Sequence, residues 1–289
     1  MSGCPICGCP RVCEFFPKAG RILLIYESCR HTWWDLFPPE EQLREYYTRW
    51  YTKTHGLDSI QSNARQYYKA HLQELLQALG TRAAESQICD YGCSIPVLVM
   101  EARQAGFRRA LGVDYCDEVR RFGSQHDVEV VSPEELAGIP EASLDIVRFS
   151  HTLEHCVDPA GVLSSVLPKV RPGGLIYITQ PNFPVFRFGP SARDLKDTVY
   201  PEHLHFFSPI SLLEMVRGLG LEVRRWFTHQ NEEQVFAGFR EALDVDYAHR
   251  RLAEYEHLGE SSAHPLGNYP YYAGENSVLY AFKPPQRFG

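Results

Sequence analysis

No apolar run in this 289-residue chain is long enough to cross a bilayer. Ile22 to Tyr26 is representative of the longest clean ones, and a spanning helix needs about 20 such residues. Positive charge is not in excess either. Lys and Arg number 29 against 36 Asp and Glu, for a formal charge of −7, and the pI is near 6.0. The first 80 residues are close to neutral, so the basic face that nucleic-acid binding requires is missing. No charged-then-apolar leader precedes Cys4, so no secretory signal is read and a cytoplasmic location is expected. The turn G-x-G-x-x-G is absent as well, which argues against a nicotinamide enzyme.

What remains is an ordinary globular composition, 44% apolar and 22% charged, in a length that suits one large α/β domain with a small attachment. Nine cysteines are present, an odd count that speaks against a disulfide framework in a reducing compartment. Five of them (Cys4, Cys7, Cys9, Cys13 and Cys29) lie in the first 29 residues, while Cys89, Cys93, Cys116 and Cys156 are scattered and read as small core residues.

The opening CPICGCPRVC begins with Cys4-x-x-Cys7-Gly8, the spacing at which two thiolates grip one metal. Zinc takes four N or S ligands in a tetrahedron, so a second pair is expected after a short hairpin. Arg21 to His31 supplies a strand-like run followed by Cys29. A regular ribbon would place another cysteine three positions before Cys29, where Tyr26 stands. The substitutes are His31 on the far side, or Cys9 and Cys13 on the near side. The metal set is read as Cys4, Cys7, Cys29 and His31, holding a structural Zn²⁺ that folds a segment too short for its own core.

Phe37-Pro38-Pro39 breaks the chain, and acidic residues follow as at a helix start. Tyr46, Tyr47, Trp50 and Tyr51 crowd this first helix and read mainly as packing, with closure over a ligand as the alternative. A second helix is expected over 62–79, ending at Gly80. From Gln87 onward strands and helices alternate, which implies a mainly parallel, doubly wound sheet. Strands are expected at 87–91, 109–113, 128–131, 144–149, 174–179, 221–228 and 276–283. Helices are expected between them, one opening at Pro96 in the first helical position and one over 159–170. The organisation expected is a zinc-ribbon-like segment (1–36), a helical connector or lid (37–80) and an α/β domain (81–289).

Ligands of such sheets bind beyond the carboxyl ends of the strands, where strand order reverses. Three ends matter. Asp90-Tyr91-Gly92-Cys93-Ser94 is a strand followed by a one-glycine turn. Gly112-Val113-Asp114-Tyr115 places a carboxylate about twenty residues further on, where it suits a ribose diol. Ser150-His151 leads into HTLEHCVDP.

In that order, ICDYGC, LGVD, LDIVRFSHTLEHCVDP, RPGGLIYITQPN and the segment from Tyr200 to Val223 resemble the class I S-adenosylmethionine-dependent methyltransferases. The CPxCG opening resembles the subset with a zinc ribbon ahead of the catalytic domain. The resemblance covers residues 87–182 most closely and implies a Rossmann-like, seven-stranded methyltransferase sheet with a helical cap. It implies that S-adenosylmethionine meets Asp90, Gly92, Cys93, Ser94, Asp114, Tyr115, Ser150 and His151. The family usually has glycine where Ser94 and Pro96 stand. Serine keeps most of the room, and proline at the first helical turn lacks only an N–H that is unpaired there anyway.

Methyl transfer needs an aligned nucleophile and often a base. Histidine suits that role, and His155 and His203 are the catalytic candidates, beside His151 and His205. HTLEH also spells H-x-x-E-H, a peptidase pattern that demands a helix and a different fold. Some quinone-biosynthesis O-methyltransferases carry a similar acid-x-x-Glu-His run that binds a divalent metal. Here His151 replaces the acid, while Glu154 and His155 match. Residues 182–203, with Arg187, Arg193 and Lys196, and 229–275, with Tyr269, Tyr271 and Tyr272, are read as substrate-side insertions, the latter a cap or a homodimer contact.

The function expected is S-adenosylmethionine-dependent methylation of a small molecule in a biosynthetic pathway. The alternatives are a protein- or carrier-bound substrate, or a non-catalytic scaffold of the same fold. No nucleic-acid or membrane partner is expected.

Overall fold

The structure is a computed structural model. It describes residues 4–8, 10–18, 21–26, 29, 31–54, 62–182, 203–229 and 276–285. The substrate-side candidates within 183–202 and 230–275, together with Cys9 and the Cys13 side chain, lie outside the described residues.

Two sheets are present among the described residues. The smaller holds β1 (Val12–Lys18), β2 (Arg21–Tyr26), β3 (Thr32–Trp34) and β9 (His205–Phe206) in that order. The larger is formed by β4 (Gln87–Tyr91), β5 (Arg109–Val113), β6 (Glu129–Val131), β7 (Leu144–Ser150), β8 (Val170–Pro181), β10 (Glu222–His229) and β11 (Asn276–Phe282). Its strand order is β10-β11-β8-β7-β4-β5-β6. The pairs β4–β5, β4–β7 and β5–β6 are parallel and β10–β11 is antiparallel. The order reverses between β4 and β7, the switch point of a doubly wound sheet.

Contacts divide the chain into two compact units. One contains residues 38–152, 163–177 and 283–289; the other contains 1–37, 153–162 and 178–282. In the first, α1 (Glu40–Thr54), α2 (Ser62–Leu79), α3 (Val97–Gln104) and α4 (Asp117–Gln125) accompany the strands. The core strands read as continuous apolar runs because both faces are covered: Ile88, Cys89, Leu111, Val113, Leu144, Ile146 and Val147 are at most 1% exposed. α4 starts with Asp117 and Glu118, charges that suit a helix N-terminus, and buries Val119 and Phe122.

The second unit carries the smaller sheet, β10, β11 and α6 (Pro209–Gly218). α6 opens with a reciprocal cap, in which the Ser208 hydroxyl accepts from Ser211 N–H and the Ser211 hydroxyl from Ser208 N–H, followed by a proline in the first turn. Helix α5 (Pro159–Val166) is shorter than expected, because the chain tightens into a 3-10 turn over Leu167–Lys169. β8 starts at Val170, ahead of the Arg-Pro-Gly-Gly run that reads as a turn. Gly173 N–H donates to the Lys283 carbonyl there, so the run is held as strand edge.

Candidate active site

The turn after β4 is pinned to the end of β5. Gly92 and Cys93 N–H both donate to the Val113 carbonyl, at 2.7 and 3.2 Å. Gly92 has φ of +72°, and a Cβ there would stand 2.5 Å from the Thr152 side chain, so only glycine fits. Ser94 has φ of +47°, the left-handed region that glycine occupies without cost. The serine therefore keeps the backbone shape of the glycine it replaces. Its N–H donates to Asp114 Oδ2 at 3.0 Å, and Cys116 N–H donates to Oδ1 at 2.9 Å.

Each carboxylate oxygen of Asp114 retains a lone pair after these bonds, enough to accept a diol. Burial pushes the Asp114 carboxyl above its usual range, while the Cys116 and Ser94 N–H groups and Arg120 oppose that shift. Pro96 is the N-cap of α3, one residue before the position expected of it, with φ of −76° and ψ of 48°.

Asp90 points elsewhere. Its register partner on β7 is Arg148, whose Nη1 donates to Asp90 Oδ1 at 2.7 Å, and both side chains are buried. Arg148 Nε also donates to His71 Nε2 at 3.3 Å, and its guanidinium lies 5.7 Å from the Tyr68 ring centroid. Two opposite charges in neighbouring buried strands were the available sequence signal for this pair. Cys93 is buried under the turn, where burial raises its thiol pKa well above the ordinary value. Tyr115 meets Tyr47 of α1 edge-on, with centroids 5.8 Å apart, and Arg44 lies 5.7 Å from the Tyr115 centroid.

At the end of β7, Ser150 is half-buried and His151 is exposed with φ of +50°. Next to it Thr152, which pattern reading passes over, bolts the switch point together. Its hydroxyl lies 3.0 Å from the Tyr91 carbonyl and 3.1 Å from the Ser150 carbonyl. Thus Gly92, Cys93, Ser94, Asp114 and Tyr115 gather around two strand ends and Ser150 and His151 end a third, while Asp90 is committed to an ion pair.

The other unit resumes within HTLEH, whose Leu153–His155 forms a 3-10 turn and not the helix a peptidase would need. His155 and His203 pack edge to face at 4.8 Å. Buried Glu154 places Oε1 4.0 Å from His155 Nε2. One ligand atom from each of Glu154, His155 and His203 lies within 4.8 Å of the other two; His151 is not in this group.

The thiols of Cys4, Cys7 and Cys29 form a second group of the same span, without His31. Ile6 and Cys7 N–H donate to Cys4 Sγ, at 3.3 and 3.5 Å, and Cys4 Sγ lies 3.6 Å from Cys29 Sγ. Thiolates bound at about 2.3 Å to one tetrahedral zinc stand roughly 3.8 Å apart, so the pair already has metal spacing. The hydrogen bond between the Cys4 and Cys29 thiols lowers the Cys4 pKa against the effect of burial and raises that of Cys29. The three thiols fit zinc as part of its ligand set, and a fourth ligand would complete the site. His31 Nε2 is turned to His205 Nδ1 at 2.9 Å.

A mixed, doubly wound sheet with its crevice at the switch point and an acid ending the second strand defines a Rossmann-like α/β fold, whose ligands bind at that crevice. Residues 60–225, more than half of the chain, match the methyltransferase domain family. The chain belongs to that family and is an S-adenosylmethionine-dependent methyltransferase.

Among curated relatives, the ubiquinone biosynthesis O-methyltransferase of Cupriavidus pinatubonensis is 25% identical over 189 residues, 59% of this chain and 75% of that protein. The protein of the same name from Leptothrix cholodnii is 23% identical over 69% of this chain and 81% of its own. A solved Burkholderia thailandensis 1,6-didemethyltoxoflavin-N1-methyltransferase, with 1,6-didemethyltoxoflavin and S-adenosylhomocysteine bound, aligns at a TM-score of 0.50 and 16% identity, covering 94% of this chain and 99% of that one. The 4+2 cyclase SpnF aligns at 0.53 and 16% identity, covering 87% and 98%. At such identities the structural likeness speaks for the fold alone. Among the described residues, no helix is long and apolar enough to cross a membrane.

Proposed function

We propose that this methyltransferase acts on a small-molecule acceptor in a biosynthetic pathway, and that the acceptor atom is oxygen. The relatives at 23–25% identity are named O-methyltransferases, and an imidazole beside a buried carboxylate suits the removal of a hydroxyl proton. S-adenosylmethionine supplies an activated methyl group on sulfonium, so the protein's task is to orient, dry and deprotonate.

In this reading Asp114 accepts the ribose hydroxyls on its remaining lone pairs. The 92–94 turn gives room to the amino-acid end, and Tyr115, Ser150 and His151 complete the contacts. His155, oriented by Glu154, and His203 take the acceptor's proton and hold it. A structural zinc sits on Cys4, Cys7 and Cys29, with the fourth ligand drawn from His31, Cys9 or Cys13.

The observation that carries the cofactor reading is the Ser94–Asp114 clamp: a left-handed serine whose N–H fixes the carboxylate at the end of β5. Equilibrium dialysis with labelled S-adenosylmethionine tests it. Asp114→Ala is expected to weaken binding at least tenfold, about 1.4 kcal/mol, and wild type without saturable binding below millimolar would end the reading. His203→Ala is expected to cut kcat about 100-fold, in the range of a lost general base, with cofactor affinity within twofold. Equal losses in both would make the histidine structural.

The close grouping of Glu154, His155 and His203 favours one second reading, a divalent ion that acidifies the acceptor hydroxyl. More than one metal per chain by elemental analysis supports it; a single zinc argues for the histidines alone.

A further inference from the structure

The N-terminal sheet is completed by a strand from far along the chain. β3 pairs antiparallel with β9, Thr32 opposite Phe206 and Trp33 opposite His205. Around this two-rung ladder further bonds join the N-terminal segment, the Glu154 turn and the stretch that follows His203. Trp34 Nε1–H donates to the His203 carbonyl at 3.1 Å. The Ser208 hydroxyl donates to the Cys29 carbonyl at 2.8 Å while it accepts from Ser211 N–H at the start of α6. Leu204 N–H, next to His203, donates to the Glu154 carbonyl at 2.8 Å.

The buried imidazoles form a fourth link. His205 Nε2 lies 3.2 Å from the Val157 carbonyl, which only accepts, so Nε2 carries the proton. His205 Nδ1 must then accept from His31 Nε2–H, two residues beyond Cys29. The order is fixed from Cys29 and His31 through His205 to the backbone just after His155.

We propose that a thiolate-binding divalent cation, zinc, held by Cys4, Cys7 and Cys29, sets the position of His203 against Glu154 and His155. The cation acts through β3 and β9. Below about 40 residues a segment rarely buries enough to hold its own shape, and a structural metal supplies such a segment with its folding free energy. Here the strand that the metal orders is also the template for the chain just after His203. The thiols are therefore a positioning device for the proposed base, and this inference rests on the histidine reading above.

The test uses the full-length protein, with metal counted by elemental analysis, stripped by a chelator and restored with zinc alone. Amide hydrogen exchange is followed at 204–206 and, as a control, at 88–91. Stripping is expected to speed exchange at 204–206 at least tenfold and leave 88–91 unchanged. S-adenosylmethionine affinity stays within twofold, kcat falls at least tenfold, and zinc restores both protection and kcat.

Trp34→Phe keeps an aromatic side chain but removes the indole donor to the His203 carbonyl. It is expected to retain one zinc and yet speed exchange at 204–206 about fivefold, the effect of one net hydrogen bond. Unchanged protection at 204–206 in both the stripped protein and Trp34→Phe overturns the proposal, as does a protein that takes up no zinc. Lost protection with unaltered kcat upholds the coupling and removes the catalytic role of His203 instead.

Discussion

Ser94 decides whether a loop with one glycine can work. A left-handed conformation costs an ordinary residue about 1–2 kcal/mol, and here it is held by the N–H bond to Asp114. Ser94→Gly removes that cost but adds chain entropy to the unfolded state, so stability should change by less than about 1 kcal/mol and cofactor affinity by less than twofold. Ser94→Val places a branched side chain in the same conformation. It should lower stability by about 2 kcal/mol and weaken S-adenosylmethionine binding more than tenfold, as read by chemical denaturation and calorimetric titration. If Ser94→Val binds as wild type, the clamp is not part of the site. That Gly92, Ser94 and Asp114 meet at neighbouring strand ends was legible in the sequence because spacing after a strand fixes their place. The sign of φ at Ser94 was not, since it depends on the carboxylate twenty residues away.

Among the elements, strands buried on both faces were the most legible, because continuous apolar runs such as Leu144 to Val147 have no other comfortable setting. β9 was invisible: two residues have no periodicity, and His205–Phe206 is a strand only because β3 is there to pair with it. The Asp90–Arg148 pair was missed for a similar reason, since register joins residues 58 positions apart. Asp90 reads as a cofactor contact near the end of a strand; the structure makes it the counter-ion that allows arginine inside β7. Removing one partner leaves a buried charge uncompensated, so Arg148→Met should cost about 3–5 kcal/mol. The double change Asp90→Leu with Arg148→Met should recover most of that loss in urea denaturation. A double variant as unstable as the single one would show that the strands need the charges themselves.

For the whole molecule, composition and motif order already point to an α/β enzyme, and the family match agrees. The first 36 residues read as a separate attachment, yet contacts group 1–37 with 153–162 and 178–282. Sequence distance hides this, because the groups that cover β3 (Phe206, Phe207 and His205) lie more than 170 residues away. Deleting residues 1–37 uncovers Phe206 and Phe207, which are at most 6% exposed, each worth about 1.5–3 kcal/mol when buried. The truncated chain should melt roughly 10 °C lower. A truncation that melts like the intact protein would make the segment a true appendage.

The bolt at Thr152 has a consequence for turnover. The Thr152 hydroxyl lies within hydrogen-bond distance of both the Tyr91 and Ser150 carbonyls, and so ties the ends of β4 and β7 beneath the turn. If the nucleoside lies on this floor as proposed, product release depends on what covers it and not on the floor.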